Sequence, residues 1–295
     1  MPKWIVYTLL TVLLWGFWGV TCKAVSADLP AWQLQVMSLL GVLPVVAVLM
    51  GLVRVDDAPI NRRMMSLSFG AGLLGCVGNL ACFEAMSAGG KAAAVIPLTS
   101  LYPITTVILA FLFLKERPTL IQAIGIGLSL VAIWLFNVAQ GSEFLNSWLL
   151  FSLLPIVCWG IGGFIQKLAT SHITGEQCAL AFLLGFFPMV FMAFFQESAW
   201  GNIPPQTWAL AILSGLLFAL GNLTVIYAYH YGGPAVIVTP AAGLYMLIAV
   251  PLAVLLLNEK ITSREGLGIV FSVLAVIALC WESNATKVAA ESTSS

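Results

Sequence analysis

Long apolar runs, separated by short polar stretches, set the pattern of this chain. Ten runs are about 20 residues long, the length a helix needs to cross the hydrocarbon core of a bilayer. They are Trp4–Val25, Ala31–Val53, Ser66–Met86, Ala92–Phe113, Thr119–Val138, Trp148–Leu168, Gln177–Phe195, Gln206–Tyr229, Ala235–Leu257 and Ser263–Trp281. The runs are continuously apolar rather than alternating, which favours helices over barrel strands. The expected fold is all-α and integral to the membrane, with ten transmembrane helices. The connections hold most of the charges, and none is long enough to form a second, soluble domain.

Composition agrees. Of 295 residues, 61% are hydrophobic and 8% are charged, with a mean hydropathy of +1.03. Soluble domains carry about 45–50% apolar and roughly 25% charged residues, so a water-soluble enzyme is excluded. Lys plus Arg (12) and Asp plus Glu (12) cancel, leaving no basic excess that would suit nucleic acid. Cys22, Cys76, Cys82, Cys158, Cys178 and Cys280 lie in or beside apolar runs without C-x-x-C spacing and read as buried small hydrophobes. Lys3, the first run and the small residues Ala24–Ala27 resemble a signal peptide. Trp15, Trp18 and Lys23 inside that run, and its return in mid-chain, favour a retained span instead.

Loop cations set the expected orientation. Lys3, Arg54, Arg62, Arg63, Lys115, Arg117 and Lys287 fall on the N-terminal side, against Lys91, Lys260 and Arg264 on the other. Both termini are expected in the cytoplasm, with the protein in a bacterial inner (cell) membrane. The polar tail, 284–295, is expected to be disordered.

The chain also repeats itself. Trp15-Gly16-x-x-Gly19-x-x-x-Lys23 returns as Trp159-Gly160-x-x-Gly163-x-x-x-Lys167, 144 residues later (159 − 15). At an offset of 143, Gly78-Asn79-Leu80 returns as Gly221-Asn222-Leu223, and Gly89-Gly90 as Gly232-Gly233. Pro97 and Tyr102 match Pro240 and Tyr245, and Leu114-Lys115-Glu116-Arg117-x-Thr119 matches Leu257-Asn258-Glu259-Lys260-x-Thr262. The expected units are residues 1–140 and 141–283. Each holds five spans, an odd number, so the second must enter the membrane from the opposite side. Two inverted five-helix repeats around a central cavity are the plan of many secondary transporters.

In order and duplication these motifs resemble the drug/metabolite transporter superfamily, specifically its EamA family. The resemblance covers residues 4–281. It implies a ten-helix exporter or importer of small organic metabolites, with a cavity lined by spans 1, 3, 4, 6, 8 and 9 and with spans 5 and 10 at the periphery. Members handle amino acids, nucleobases, sugars and related compounds, so the family alone does not specify a substrate.

Candidate substrate-binding residues are polar or aromatic groups inside spans. Lys23 and Glu84 reach similar depth near the outer end, so they can pair and offset each other's desolvation, with substrate or a proton competing. Alternatively Lys23 snorkels to the interface and Glu84 caps a helix end. In the second unit Lys167 matches Lys23, but Tyr227 stands where Glu84 would be, so function should be asymmetric. His230, near the inner end of the eighth span, is a further ionisable candidate or simply a solvated interfacial histidine. Asn79 and Asn222 need partners in hydrocarbon, whether cavity, helix or water. Tyr102 and Tyr245 offer an apolar ring with a polar tip, and Trp15 and Trp159 line the cavity or serve as packing. Pro97 and Pro240, after paired glycines, read as helix starts; Pro103, Pro155, Pro188 and Pro251 are interior and predict kinks.

Gly70-x-Gly72-x-x-Gly75 spells a dinucleotide fingerprint but lies inside a membrane run, where small residues serve close helix packing. The sequons at Asn222 and Asn284 are expected to stay unglycosylated. No catalytic or metal-binding motif stands out, so no cofactor is expected and the chain does not read as an enzyme. The expected function is secondary transport of a small polar or amphipathic metabolite, amino acid or sugar-like, by alternating access with proton or exchange coupling. A flippase for a lipid-linked carrier, which requires a lateral opening, and a non-transporting scaffold or sensor are the alternatives.

Overall fold

The computed structural model describes residues 1–53, 61–114, 119–138, 147–191, 200 and 203–279. Arg54, Lys115, Arg117, Cys280, Asn284, Lys287, the tail and the end of the seventh expected span lie outside them. All regular structure among the described residues is helical. The first half comprises α1 (Lys3–Ser26), α2 (Ala31–Leu52), α3 (Arg62–Ser87), α4 (Ala92–Thr99), α5 (Pro103–Leu114) and α6 (Leu120–Val138). The second comprises α7 (Ser147–Thr170), α8 (Gly175–Leu184), a 3-10 turn at Phe187–Met189, α9 (Pro205–His230), α10 (Ala235–Gly243), α11 (Met246–Leu257) and α12 (Ser263–Leu279). Among the described residues, six helical stretches are long and apolar enough to cross a membrane: α1, α2, α3, α7, α9 and the run Ile237–Leu257. Ala92–Thr106, Leu120–Phe136 and Gly175–Met189 are shorter apolar helices. Large side chains exposed on the outside are apolar, among them Leu9, Leu13, Leu130, Trp134 and Leu274, as a lipid-facing surface requires.

Helix directions follow from side-chain contacts. Thr11 Oγ1 lies 2.8 Å from Thr224 Oγ1, and the Trp18 ring meets Phe218 at 5.7 Å, tilted by 45°, so α1 and α9 run antiparallel. Likewise Gly78 lies under Trp159 and Ala71 beside Gly162, so α3 and α7 run antiparallel. Within each half the first and third spans run in parallel: Ser87 Oγ donates to Ser26 O at 3.2 Å, and Lys167 Nζ to Gly233 O at 3.1 Å. The peripheral α6 packs on α12, Gly125 against Ala275 O and Gly268 against the Phe136 ring.

Spans 4 and 9 are not single helices. The paired glycines expected before them are there, Gly89 with φ +96° and Gly232 with φ +86°, both left-handed. Yet the interruptions fall further along, not at the helix starts that Pro97 and Pro240 suggested. Tyr102 N donates to Thr99 O and Thr105 N to Tyr102 O; Tyr245 N donates to Ala242 O and Ile248 N to Tyr245 O. These i→i−3 bonds tighten the chain into a 3-10 turn at each tyrosine. Pro103 supports the first interruption by opening α5, where its missing N–H costs nothing. Pro188 lies beyond the end of α8, within the 3-10 turn, whereas Pro155 and Pro251 sit inside continuous helices.

The closest helix contacts are made through glycine. A Cβ on Gly215 of α9 would overlap the carbonyl oxygen of Ser38 in α2, and one on Gly72 of α3 would overlap that of Phe182 in α8. These are corresponding contacts in the two halves (72 + 143 = 215). They explain the false fingerprint around Gly72 as close packing. Gly215→Val should therefore lower the melting temperature of the detergent-solubilised protein sharply, through overpacking that costs about 1–3 kcal/mol or more. Gly70→Val, where nothing lies within 4 Å, should leave it nearly unchanged.

Candidate functional site

The lysine of each duplicated Trp-Gly motif binds the backbone of a helix end. Lys23 Nζ donates to Met86 O at 2.9 Å and to Gly90 O at 2.8 Å; Lys167 Nζ donates to Gly233 O. An α-helix leaves its last carbonyls without partners, and a cation there also opposes the helix dipole. Each lysine thus ties the first span of its half to the Gly-Gly turn after the third. The expected Lys23–Glu84 pair is not formed, because the backbone carbonyls already occupy the ammonium. Glu84 is half-buried without it.

A second set of polar contacts closes the same end of the molecule. Both oxygens of Glu259, on the α11–α12 hairpin, accept from the N–H groups of Ala92 and Ala93 at 2.8 Å, the free donors at the start of α4. Lys91 Nζ reaches both oxygens of Glu265, at 2.8 and 3.0 Å, and Lys260 O at 2.9 Å. Glu265 in turn accepts from Thr262 N at 2.7 Å, and its own N–H donates to the Thr262 hydroxyl at 3.3 Å, a capping box. At the matched positions Pro234, in the second half, stands where Lys91 would be, and Gln122, in the first, where Glu265 would be (offset 143). Gln122 keeps the capping box with Thr119, but that pair of positions cannot form an ion pair.

Between the halves lies a cavity, part of it open to solvent. Its walls are mainly aromatic. Trp18 meets Trp159 edge-on at 5.8 Å, Tyr102 meets Trp159 at 6.3 Å, and Trp15 meets Tyr245 at 6.0 Å. The cavity is off-centre. It runs along α7 and α9 past Gly163 to Gln166 and Tyr229, whereas the corresponding residues Cys22 and Met86 are packed away from it. A Cβ at Gly163 would meet nothing closer than 3.9 Å, while one at its counterpart Gly19 would lie 2.7 Å from the Ile96 side chain.

Five of the sequence-derived candidates line this cavity: Trp15, Tyr102, Trp159, Asn222 and Tyr245. Tyr102 donates to Thr239 O at 2.8 Å, Tyr245 OH shares a hydrogen with Thr99 Oγ1 at 3.2 Å, and Asn222 Nδ2 donates to Phe218 O at 2.9 Å. The other five lie outside it. Lys23 and Lys167 are engaged at helix ends, and Glu84 lies beyond the cavity on α3. Asn79 is buried on the packed side, its Oδ1 without a partner among the described residues. Tyr227 donates to Glu176 at 3.0 Å and joins a ring cluster with Tyr7 and Tyr231; His230 is exposed at the end of α9. Trp18, Gln166 and Tyr229 line the cavity without having been singled out as candidates.

The family model for the EamA-like transporter family matches residues 2–138 and again 146–281. An "Uncharacterized protein" of Methanocaldococcus jannaschii is 30% identical over 140 residues, which are 48% of this chain and the whole of that protein. A protein of Lactiplantibacillus plantarum named "Putative sugar uptake protein" is 22% identical over 129 residues, 44% of this chain and 45% of that one. A solved crystal structure superimposes with a TM-score of 0.66 at 15% identity, over 92% of this chain and 95% of its own, a likeness of fold.

The two roles considered for Lys23 differ measurably. As a helix-end cap, its replacement in Lys23→Met should destabilise the protein by about 1–3 kcal/mol, the cost of stranding buried acceptors. Glu84→Gln should stay within about 0.5 kcal/mol. Thermal melting of both variants checks this; equal losses would restore the ion pair.

Proposed function

This chain belongs to the EamA-like transporter family, and we propose that it works as a secondary transporter of a small polar organic solute by alternating access. Two five-span copies inserted in opposite directions surround the cavity, ten spans in all if the broken helices α4–α5 and α10–α11 each count as one. The antiparallel course of α1 against α9 and of α3 against α7 supports this arrangement. The duplicated family match and the half-length archaeal relative support the duplication.

The observation that carries the reading is the unequal packing of matched positions. Gly19 is packed against Ile96, and Cys22 and Met86 are buried away from the cavity; the matched positions Gly163, Gln166 and Tyr229 line it. When the two copies exchange conformations, the first end opens and the second closes, and the cavity is reached from the other side. The Glu259 and Lys91 contacts hold the packed end shut, and Pro234 with Gln122, the counterpart of the Lys91–Glu265 pair, cannot form an ion pair at the other end, which biases the resting state. By the excess of Lys and Arg on its side, the end toward which the cavity extends faces the cytoplasm. Coupling runs through a proton or through exchange.

A solute without net charge fits best, because no charged side chain lines the cavity among the described residues. This puts sugar-like solutes ahead of amino acids, whose two charges would be left without partners in an apolar box. The name of the bacterial relative agrees.

Cys22 is a built-in reporter of opening, since it is fully buried at the packed end. In protein whose other cysteines are serine, Glu259→Gln or Lys91→Met should raise its labelling by a polar maleimide about tenfold, the effect of removing about 1.4 kcal/mol from the closed state. Cys178, retained alone in a parallel variant, should stay protected, which separates opening from unfolding. Cys22 labelling unchanged by either substitution would overturn the reading.

A further inference from the structure

The polar groups of the cavity fall into three sets: hydroxyls and an amino group bonded within the protein, the Trp15 and Trp159 indole N–H groups, which are buried without a partner among the described residues, and Gln166. Tyr102, Tyr245 and the Asn222 amino group have the partners given above, and Tyr229 OH lies 2.8 Å from Thr239 Oγ1. Gln166 differs. It is 4% exposed and lines the cavity, its side-chain amide makes no hydrogen bond among the described residues, and neither amide atom is sealed from the cavity. A primary amide in apolar surroundings is costly when left without a partner. It is also the group best suited to a hydroxyl, since it offers two donors and an acceptor at one place. Its counterpart in the first half is Cys22 (166 − 144 = 22), so duplication of the scaffold does not require it.

Resting on the reading of this cavity as the transport site, we infer that Gln166 is the specificity-determining residue and that it selects an uncharged monosaccharide ring by its hydroxyl edge. The rest of the box suits that ligand. The interplanar angles of Trp18 with Trp159, Tyr102 with Trp159 and Trp15 with Tyr245 are 64°, 81° and 80°. These pairs form corners rather than a parallel slot, so they enclose a puckered ring better than they sandwich a flat base. Indole and phenol faces cover the C–H faces of such a ring, while its hydroxyls turn toward Gln166, Asn222 Oδ1 and the Tyr229–Thr239 hydroxyl pair. A carboxylate or ammonium on the same ring would find no opposite charge, so the site discriminates by what it withholds.

The test uses the full chain in detergent, with Trp15, Trp18 and Trp159 as intrinsic fluorophores. D-glucose, D-galactose, D-xylose and D-ribose are titrated beside two charged analogues, D-glucuronate and D-glucosamine. At least one neutral sugar should quench the indole emission and raise the melting temperature, and the charged analogues should bind at least tenfold more weakly. Gln166→Leu should weaken the neutral sugar at least tenfold. Gln166→Glu should weaken it too, while strengthening D-glucosamine relative to wild type, a switch that a packing role would not produce. Melting of the unliganded variants reports whether they fold. Binding unchanged in a folded Gln166→Leu, charged analogues that bind as well as neutral ones, or no response to any neutral sugar would each overturn the inference. Because Cys22 labelling involves no ligand, it decides the alternating-access reading separately.

Discussion

Helix ends inside a low-dielectric protein need partners for their free backbone groups, and this need organises one end of the molecule. There α3 finishes with unpaired carbonyls, and α4 begins with unpaired N–H groups a few residues later. Lys23 satisfies the first and Glu259 the second. Neither charge is free to meet a substrate, because in hydrocarbon the competing partner is a stranded peptide group rather than water. The end is therefore tied together by α1, the α3–α4 turn and the α11–α12 hairpin. The cavity, unable to extend that way, extends in the other.

The two halves share their scaffold and differ in what they pack. Trp15 and Trp159, Tyr102 and Tyr245, and the close glycine contacts of Gly72 and Gly215 occur in both. Trp18 faces a glycine counterpart, Gly162, and Gln166 a cysteine counterpart, Cys22, so the common frame encloses an uneven space. An uneven pocket inside an even frame fits the proposed cycle. The frame allows each half to adopt the other's conformation, while the solute is recognised by one wall.

Much of this architecture was legible in the sequence, because hydrophobic length and internal repetition are strong signals. The apolar runs fall on the helices, and matched positions led to Trp15, Tyr102, Trp159, Asn222 and Tyr245. The same search weighed a Lys23–Glu84 pair against a snorkelling lysine and a helix-capping Glu84, and reached neither of the lysine's backbone partners. Depth along a helix suggested that Lys23 could meet Glu84. It could not reveal that the Gly-Gly turn folds two carbonyls back toward the ammonium. Repetition also pointed away from Trp18 and Gln166, since it favours what is the same in both halves. The usable signal was the opposite one, polar or bulky residues whose counterpart is small or apolar.

That contrast also bears on why Gln166 and Cys22 occupy equivalent places. Cys22, Met86 and Ile96 are all buried at the packed end, groups that pack dry and bury well. An amide there would lose its partners whenever the end closed and would raise the free energy of that state by the cost of an unsatisfied polar group. On the other wall, Gln166 keeps the cavity, and therefore solute or water, within reach. The same argument limits where further recognition groups can be placed. They belong on α7, α9 and α10, facing the space beside Gly163, and not on the face of α1 that must seal against Ile96.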